Sequence, residues 1–101
     1  MDRNLTEGAL NSNVGSYVGN GLSFTFELGF KPVKVRIINV TQDYSEEALK
    51  LEGMPNDICQ VNKNTKGKIL SGGITILNDG FAIGNSQYVN RNGDTYLWEA
   101  F

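Results

Sequence analysis

Asp79, Asp94 and Glu99, all in the C-terminal region, are the residue type that glycoside hydrolysis uses in pairs, one carboxyl as general acid and the other as base or nucleophile. Asp79 and Asp94, however, fall in turn sequences, where aspartate is favoured for its backbone bonding alone. The chain has no histidine, so it offers no Ser-His or Cys-His pair and no imidazole metal ligand. Asn90-Arg91-Asn92-Gly93-Asp94 spaces oxygen side chains at alternate positions, as some calcium loops do. It brings one carboxylate and no distal glutamate, and its Asn-Gly pair is a hairpin signal that accounts for it. Gly72-Gly73 and Gly80…Gly84 lack the following helix and Lys-Ser/Thr of a phosphate loop. Cys59 is the single cysteine, which excludes an intrachain disulfide, and it reads as a small apolar core residue. The expectation is a non-enzymatic chain with no catalytic residues, no cofactor and no metal, whose work is to bind and assemble.

The totals agree with that expectation. A length of 101 residues fits one core and no second lobe. A net charge of −2 argues against a general nucleic-acid binder, which needs a clear excess of Lys and Arg. The opening MDRNLTEGAL has no apolar run, so it reads as neither signal peptide nor membrane span, and synthesis in a cytoplasm is the default. A domain of this size buries only roughly two-thirds of the surface its unfolded chain exposes, and oligomerisation is a common remedy.

The elements that must hold these residues follow from period-two alternation between turn signals. Residues 1–13 are polar and read as a flexible N-terminal arm, with 14–101 as a single domain. Val14–Val18 reads as an edge strand. In Leu22-Ser23-Phe24-Thr25-Phe26-Glu27-Leu28 the four large apolar residues are expected to face the core. Gly29-Phe30-Lys31-Pro32 turns into Val33–Val40, whose Val33, Val35 and Ile37 share one face while Lys34, Arg36 and Ile38 form a mixed outer face. Asp43 to Leu51 reads as a two-turn helix, from a capping-box pattern at Asp43/Glu46 and apolar Tyr44, Ala48 and Leu51 at helical spacing. This acidic segment reads as a solvated surface, with opposition to the basic stretches Lys31/Lys34/Arg36 and Lys63/Lys66/Lys68, within or between subunits, as the alternative. Ile58–Val61 reads as a short strand and Asn62–Gly67 as a loop tip. Ile74–Leu77 and Phe81–Ile83 alternate around Asn78-Asp79-Gly80, and the last strand sets Tyr96, Trp98 and Ala100 on one side with Leu97, Glu99 and Phe101 on the other. The sum is an all-β chain: a small antiparallel β-sandwich of about seven short strands with one short helix in a connecting loop.

Aromatic faces bind sugars in many lectins, so Tyr88, Tyr96 and Trp98 are candidates for a platform. Trp98, between Tyr96 and Ala100 in a terminal strand, reads better as core. Tyr17, Tyr44 and Tyr88 are the better candidates for exposed ligand or interface rings.

Gly29-Phe30-Lys31-Pro32 with the strand after it, Asn78-Asp79-Gly80-Phe81-Ala82-Ile83-Gly84, and the closing Val89 to Phe101 together resemble a recurrent virion module of tailed bacteriophages. The order of elements is similar to the β-sandwich of H-type lectins, which assemble as trimers. The resemblance covers about Gly19 to Phe101 without the helix-like insert. It implies a scaffold in which Gly29, Pro32, Gly80, Phe81, Gly84, Gly93, Tyr96 and Trp98 make turns and core. It also implies a virion structural protein, made in the host cytoplasm and decorating the capsid as a homotrimer against the major capsid protein. The alternatives are a lectin-like host-attachment module that binds surface glycans, and a tail or baseplate accessory protein. The departures are Val33 and Val35 in place of the usual aromatic and the missing histidine of some lectin sites, so no ligand residue carries over.

Overall fold

A computed structural model of the chain describes residues 13–41, 47–63 and 66–101, the side chains of 63 and 66–70 excepted. Two antiparallel sheets face each other as a small β-sandwich. The larger has six strands in the order β1 (Asn13–Val18), β9 (Thr95–Ala100), β3 (Lys34–Asn39), β4 (Glu47–Leu51), β5 (Cys59–Lys63) and β6 (Lys66–Leu70). The smaller has three, in the order β2 (Phe24–Glu27), β8 (Gly80–Ile83) and β7 (Ile74–Leu77). The one-turn helix α1 (Gln87–Asn90) lies between β8 and β9, with the Ser86 hydroxyl accepting from the Tyr88 N–H as its cap.

Alternation decides which side chains meet between the sheets. Gly15, Trp98, Ile37, Ala48 and Val61 stand opposite one another across the large sheet and face inward, as do Tyr17, Tyr96 and Asn39. The small sheet answers with Phe24, Phe26, Phe81, Ile83 and Ile74. Trp98 packs its ring against Phe26 and Phe81 at 5.3 and 5.1 Å between centroids, and Tyr17 stacks on Tyr96 at 5.0 Å. Val35, Ile74, Phe81 and Ile83 are wholly enclosed, which contributes about 1.5–3 kcal/mol each. Two glycines are required by the geometry. Gly29 has φ +85°, and a Cβ on Gly80 would lie 1.9 Å from the Phe26 carbonyl oxygen, where β2 crosses close to β8.

Several expectations are met and several are not. The hairpin at Asn78-Asp79 pairs Leu77 with Gly80, and β1 is an edge strand. There are nine strands among the described residues rather than about seven. The expected helix over Asp43–Leu51 is overturned where it is described: Glu47–Leu51 is strand β4, and Asp43 to Glu46 lie outside the described residues. Ala48 and Leu51 share a face only at helical spacing, but pairing with β3 and β5 holds the segment extended, with Ala48 inward and Leu51 outward. Leu22 is 69% exposed and Val33 55%, because the strands begin after them, at Phe24 and Lys34. Asn62, Lys63, Lys66 and Gly67 are strand rather than loop tip. The Asn92-Gly93 turn joins α1 to β9 instead of closing a hairpin, with the Asp94 N–H donating to the Arg91 carbonyl at 3.1 Å. Of the arm, residues 1–12 lie outside the described residues and Asn13 already belongs to β1.

Candidate functional site

The three carboxylates do not converge. Asp79 sits in the β7–β8 turn, its carbonyl accepting from the Leu28 and Gly29 N–H groups. Asp94 is buried before β9 and accepts from Asn39 Nδ2 at 3.0 Å, with Arg91 at 3.8 Å. Glu99 projects from the opposite, outer face of the large sheet. Among the described residues no three Cys, Asp or Glu side chains gather as metal ligands do.

The 90–94 stretch has a structural use for its oxygens. Asn90 is buried, and its amide oxygen accepts from the Asn20 N–H at 2.8 Å and the Gly21 N–H at 3.2 Å. Its Nδ2 donates to the Leu22 carbonyl at 2.8 Å and the Gly84 carbonyl at 2.9 Å. The side chain therefore fills its hydrogen-bonding capacity by tying α1 to the β1–β2 loop and the end of β8. Tyr96 Oη works beside it, accepting from the Arg91 N–H at 2.8 Å and donating to the Gln87 carbonyl at 3.3 Å.

Tyr17 is not an exposed ring. It is stacked in the core, its hydroxyl donates to the Val89 carbonyl at 2.6 Å, and burial, with Tyr96 beside it, pushes the phenol well above its usual range. Tyr88, on α1, is half-buried against the core, and Tyr44 lies outside the described residues. Cys59 is fully buried, and burial pushes its thiol up in spite of the Ile74 N–H and Lys50 nearby, which leaves it a packing residue. Lys50 faces inward from β4 and is 1% exposed. Its Nζ donates to the carbonyls of Ile58 at 2.6 Å, Asn56 at 2.9 Å and Pro55 at 3.4 Å, while burial pulls its pKa down. It pins the 52–58 connection as a bound cation would.

Among the described residues, the outer face of the large sheet gathers most of the exposed large apolar side chains. Its cross-strand rows read Phe101–Lys34–Leu51, Val14–Glu99–Arg36–Leu49–Gln60 and Ser16–Leu97–Ile38–Glu47–Asn62. Arg36 bridges Glu47 on β4 and Glu99 on β9, the latter at 3.1 Å. The hydrogen bond with Glu47 above all holds the guanidinium beyond its usual value. The trio is half-exposed and contributes little stability. Around it stand Val14 (75% exposed), Val18, Leu97, Leu51 and Phe101, five of the seven large apolar side chains left exposed among the described residues. Val14, Ser16, Leu97, Ile38, Arg36 and Glu99 border an open groove of about 460 Å³. Lys31 also pairs with Glu52 at 3.1 Å just outside these strands, so the first basic stretch opposes the acidic segment within one chain, as the alternative reading of those charges had it.

Sequence reading missed the Glu47–Arg36–Glu99 bridge and the buried Lys50. Both depend on β4, which carries Glu47 and Lys50, and Glu47-Ala48-Leu49-Lys50-Leu51 read with a period of two would have set Ala48 and Lys50 inward and the others outward. Comparison with protein-family models, with curated proteins and with solved structures finds no match to this chain.

Proposed function

We propose that this chain is a non-enzymatic structural protein of a bacteriophage particle, decorating the capsid as a homo-oligomer seated on the major capsid protein. The resemblance in its turns and closing strand supplies the virion context. The observation that carries the assembling role is the outer face of the six-stranded sheet, where five large apolar side chains lie exposed around an ion bridge of one arginine and two glutamates. A monomer that remained alone would gain nothing from such a patch, whereas a docking partner would cover it. Charges of both signs at its centre favour one register of contact over others.

Isolated particles should contain the chain at a fixed number of copies per capsid. Purified chain added to particles lacking it should sediment with them. Leu97→Asp, on a residue 47% exposed, should lower that association at least tenfold while changing the chain's own stability by less than about 0.5 kcal/mol. A chain that is absent from particles and ignores them in sedimentation would end this reading.

A further inference from the structure

Hydrogen bonding along the large sheet shows which groups of its first strand point away from the molecule. Lys34 and Phe101 exchange N–H and carbonyl, and the Val40 N–H donates to the Thr95 carbonyl, so the odd-numbered residues of β9 bond to β3. The Gly19 N–H donates to the Asp94 carbonyl, so the even-numbered residues of β9 bond to β1 through Gly15, Tyr17 and Gly19. Val14, Ser16 and Val18 therefore direct their N–H and carbonyl groups at the outer edge of β1. Among the described residues no strand pairs with that edge.

Edges of this kind are usually guarded by shortness, charge or proline. The other edges have such guards: β2 and β7 are four residues long, β2 ends in Glu27, and β6 carries Lys66 and Lys68 in its sequence. β1 is six residues, Asn-Val-Gly-Ser-Tyr-Val, with no charge and no proline. Its outward side chains, Val14 at 75% and Val18 at 59% exposed, are apolar and flank Ser16 symmetrically.

We propose that β1 is the strand through which two copies of this chain join, pairing antiparallel with β1 of the other copy across a twofold axis at Ser16. In that register Ser16 faces Ser16 of the partner subunit, and Val14 faces the partner's Val18. Each of the three pairs, counting the partner's Val14 against Val18, exchanges two hydrogen bonds, about six in all. The two six-stranded sheets become one of twelve strands, and the apolar outer faces run together. A second copy suits the edge because β1 has no charge with which to repel its like or to recognise a charged partner. This refines the assembling role proposed above and rests on it, and it replaces the threefold arrangement of the resemblance with a twofold one.

The test is a charge exchange at Ser16, an exposed position whose backbone groups pair with no strand among the described residues. The wild-type chain at tens of micromolar should sediment with the mass of two chains. Ser16→Asp and Ser16→Lys should each sediment as one chain, since each sets like charges face to face, and an equimolar mixture of the two should recover the mass of two. Amide exchange at Val14, Ser16 and Val18 should slow at least tenfold between dilute and concentrated wild type, and should not slow for Ser16→Asp. A one-chain or three-chain mass for the wild type, an oligomer indifferent to both substitutions, or a mixture that stays monomeric would each overturn the pairing. None of those results touches the binding of the chain to particles, which is measured separately.

Discussion

The two faces of the six-stranded sheet treat polar and apolar groups in opposite ways. The inner face encloses Asn39 and Lys50 and, beside it, Asn90, and their polar atoms bond to backbone or to another side chain. The outer face leaves Val14, Leu97 and Leu51 in water and spends its charges on a half-exposed bridge. Polar groups inside a small sandwich are therefore structural pins, each replacing a stretch of regular pairing that the loops lack. Chemistry that is unspent sits outside. The comparison predicts large losses of stability from conservative changes inside and small ones from drastic changes outside.

The largest effect is expected at Asn90. Asn90→Ala removes four hydrogen bonds at once and leaves the Leu22 and Gly84 carbonyls and the Asn20 N–H without this partner, while the Gly21 N–H keeps the backbone carbonyl of residue 90 at 3.2 Å. A loss of about 3–5 kcal/mol in urea unfolding is expected. A loss below that of an outer-face change such as Leu97→Asp would break the contrast between the faces. Lys50→Met comes next. It keeps the stem in place but leaves the carbonyls of Asn56 and Ile58 without this donor, Pro55 keeping the Ile58 N–H, and should cost about 2–3 kcal/mol. The relief of no longer burying an ammonium offsets part of that cost, which is why it falls below the Asn90 loss.

How much of this was legible in the sequence differs between the same two regions. The alternation of β3 and β9, the core places of Phe81, Tyr96 and Trp98, and the hairpin at Asn78-Asp79 follow from period two and turn chemistry, which are local. Asn90 and Lys50 were not readable as pins, because their partners lie up to 70 residues away or in an irregular connection that no periodicity describes. Tyr17 was misplaced for the same reason. Its hydroxyl reaches a carbonyl 72 residues further on, and only the closed sandwich brings the two together. The outer face was half legible: Lys34, Arg36 and Ile38 were grouped correctly, but reading Glu47–Leu51 as helix removed the strand that completes the bridge.

Tyr17 sharpens the comparison through pH. Its folded phenol is pushed up by burial, while the unfolded chain's tyrosine ionises near its ordinary value of about 10. Below that pH both states keep the proton and the contribution is whole. As pH rises past about 10 the unfolded state ionises and the folded state does not, so stability falls. Tyr17→Phe should cost about 1 kcal/mol at neutral pH for the bond to Val89, and should flatten the decline above pH 10. Urea midpoints for both chains on either side of pH 10 measure this. Parallel declines would mean that the phenol is wet.

The smallest effect is expected where the inner face breaks its own rule. Trp98 Nε1 is enclosed and has no hydrogen-bond partner among the described residues, and the edge of the indole that carries it lies over Gly15. An enclosed donor without a partner costs about 1–3 kcal/mol. Trp98→Phe removes that donor together with part of the ring's packing on Phe26 and Phe81, so the two changes oppose one another. The net change should stay within about 1 kcal/mol, well short of the usual penalty of roughly 3–5 kcal/mol for deleting a large aromatic outright. Gly15→Ala should cost more than Trp98→Phe, because its Cβ would meet the indole at 2.8 Å. In the double variant that cost should shrink, because phenylalanine does not reach as far across β1. Additive losses in the double variant would show that Gly15 is needed by the strand itself and not by the ring above it.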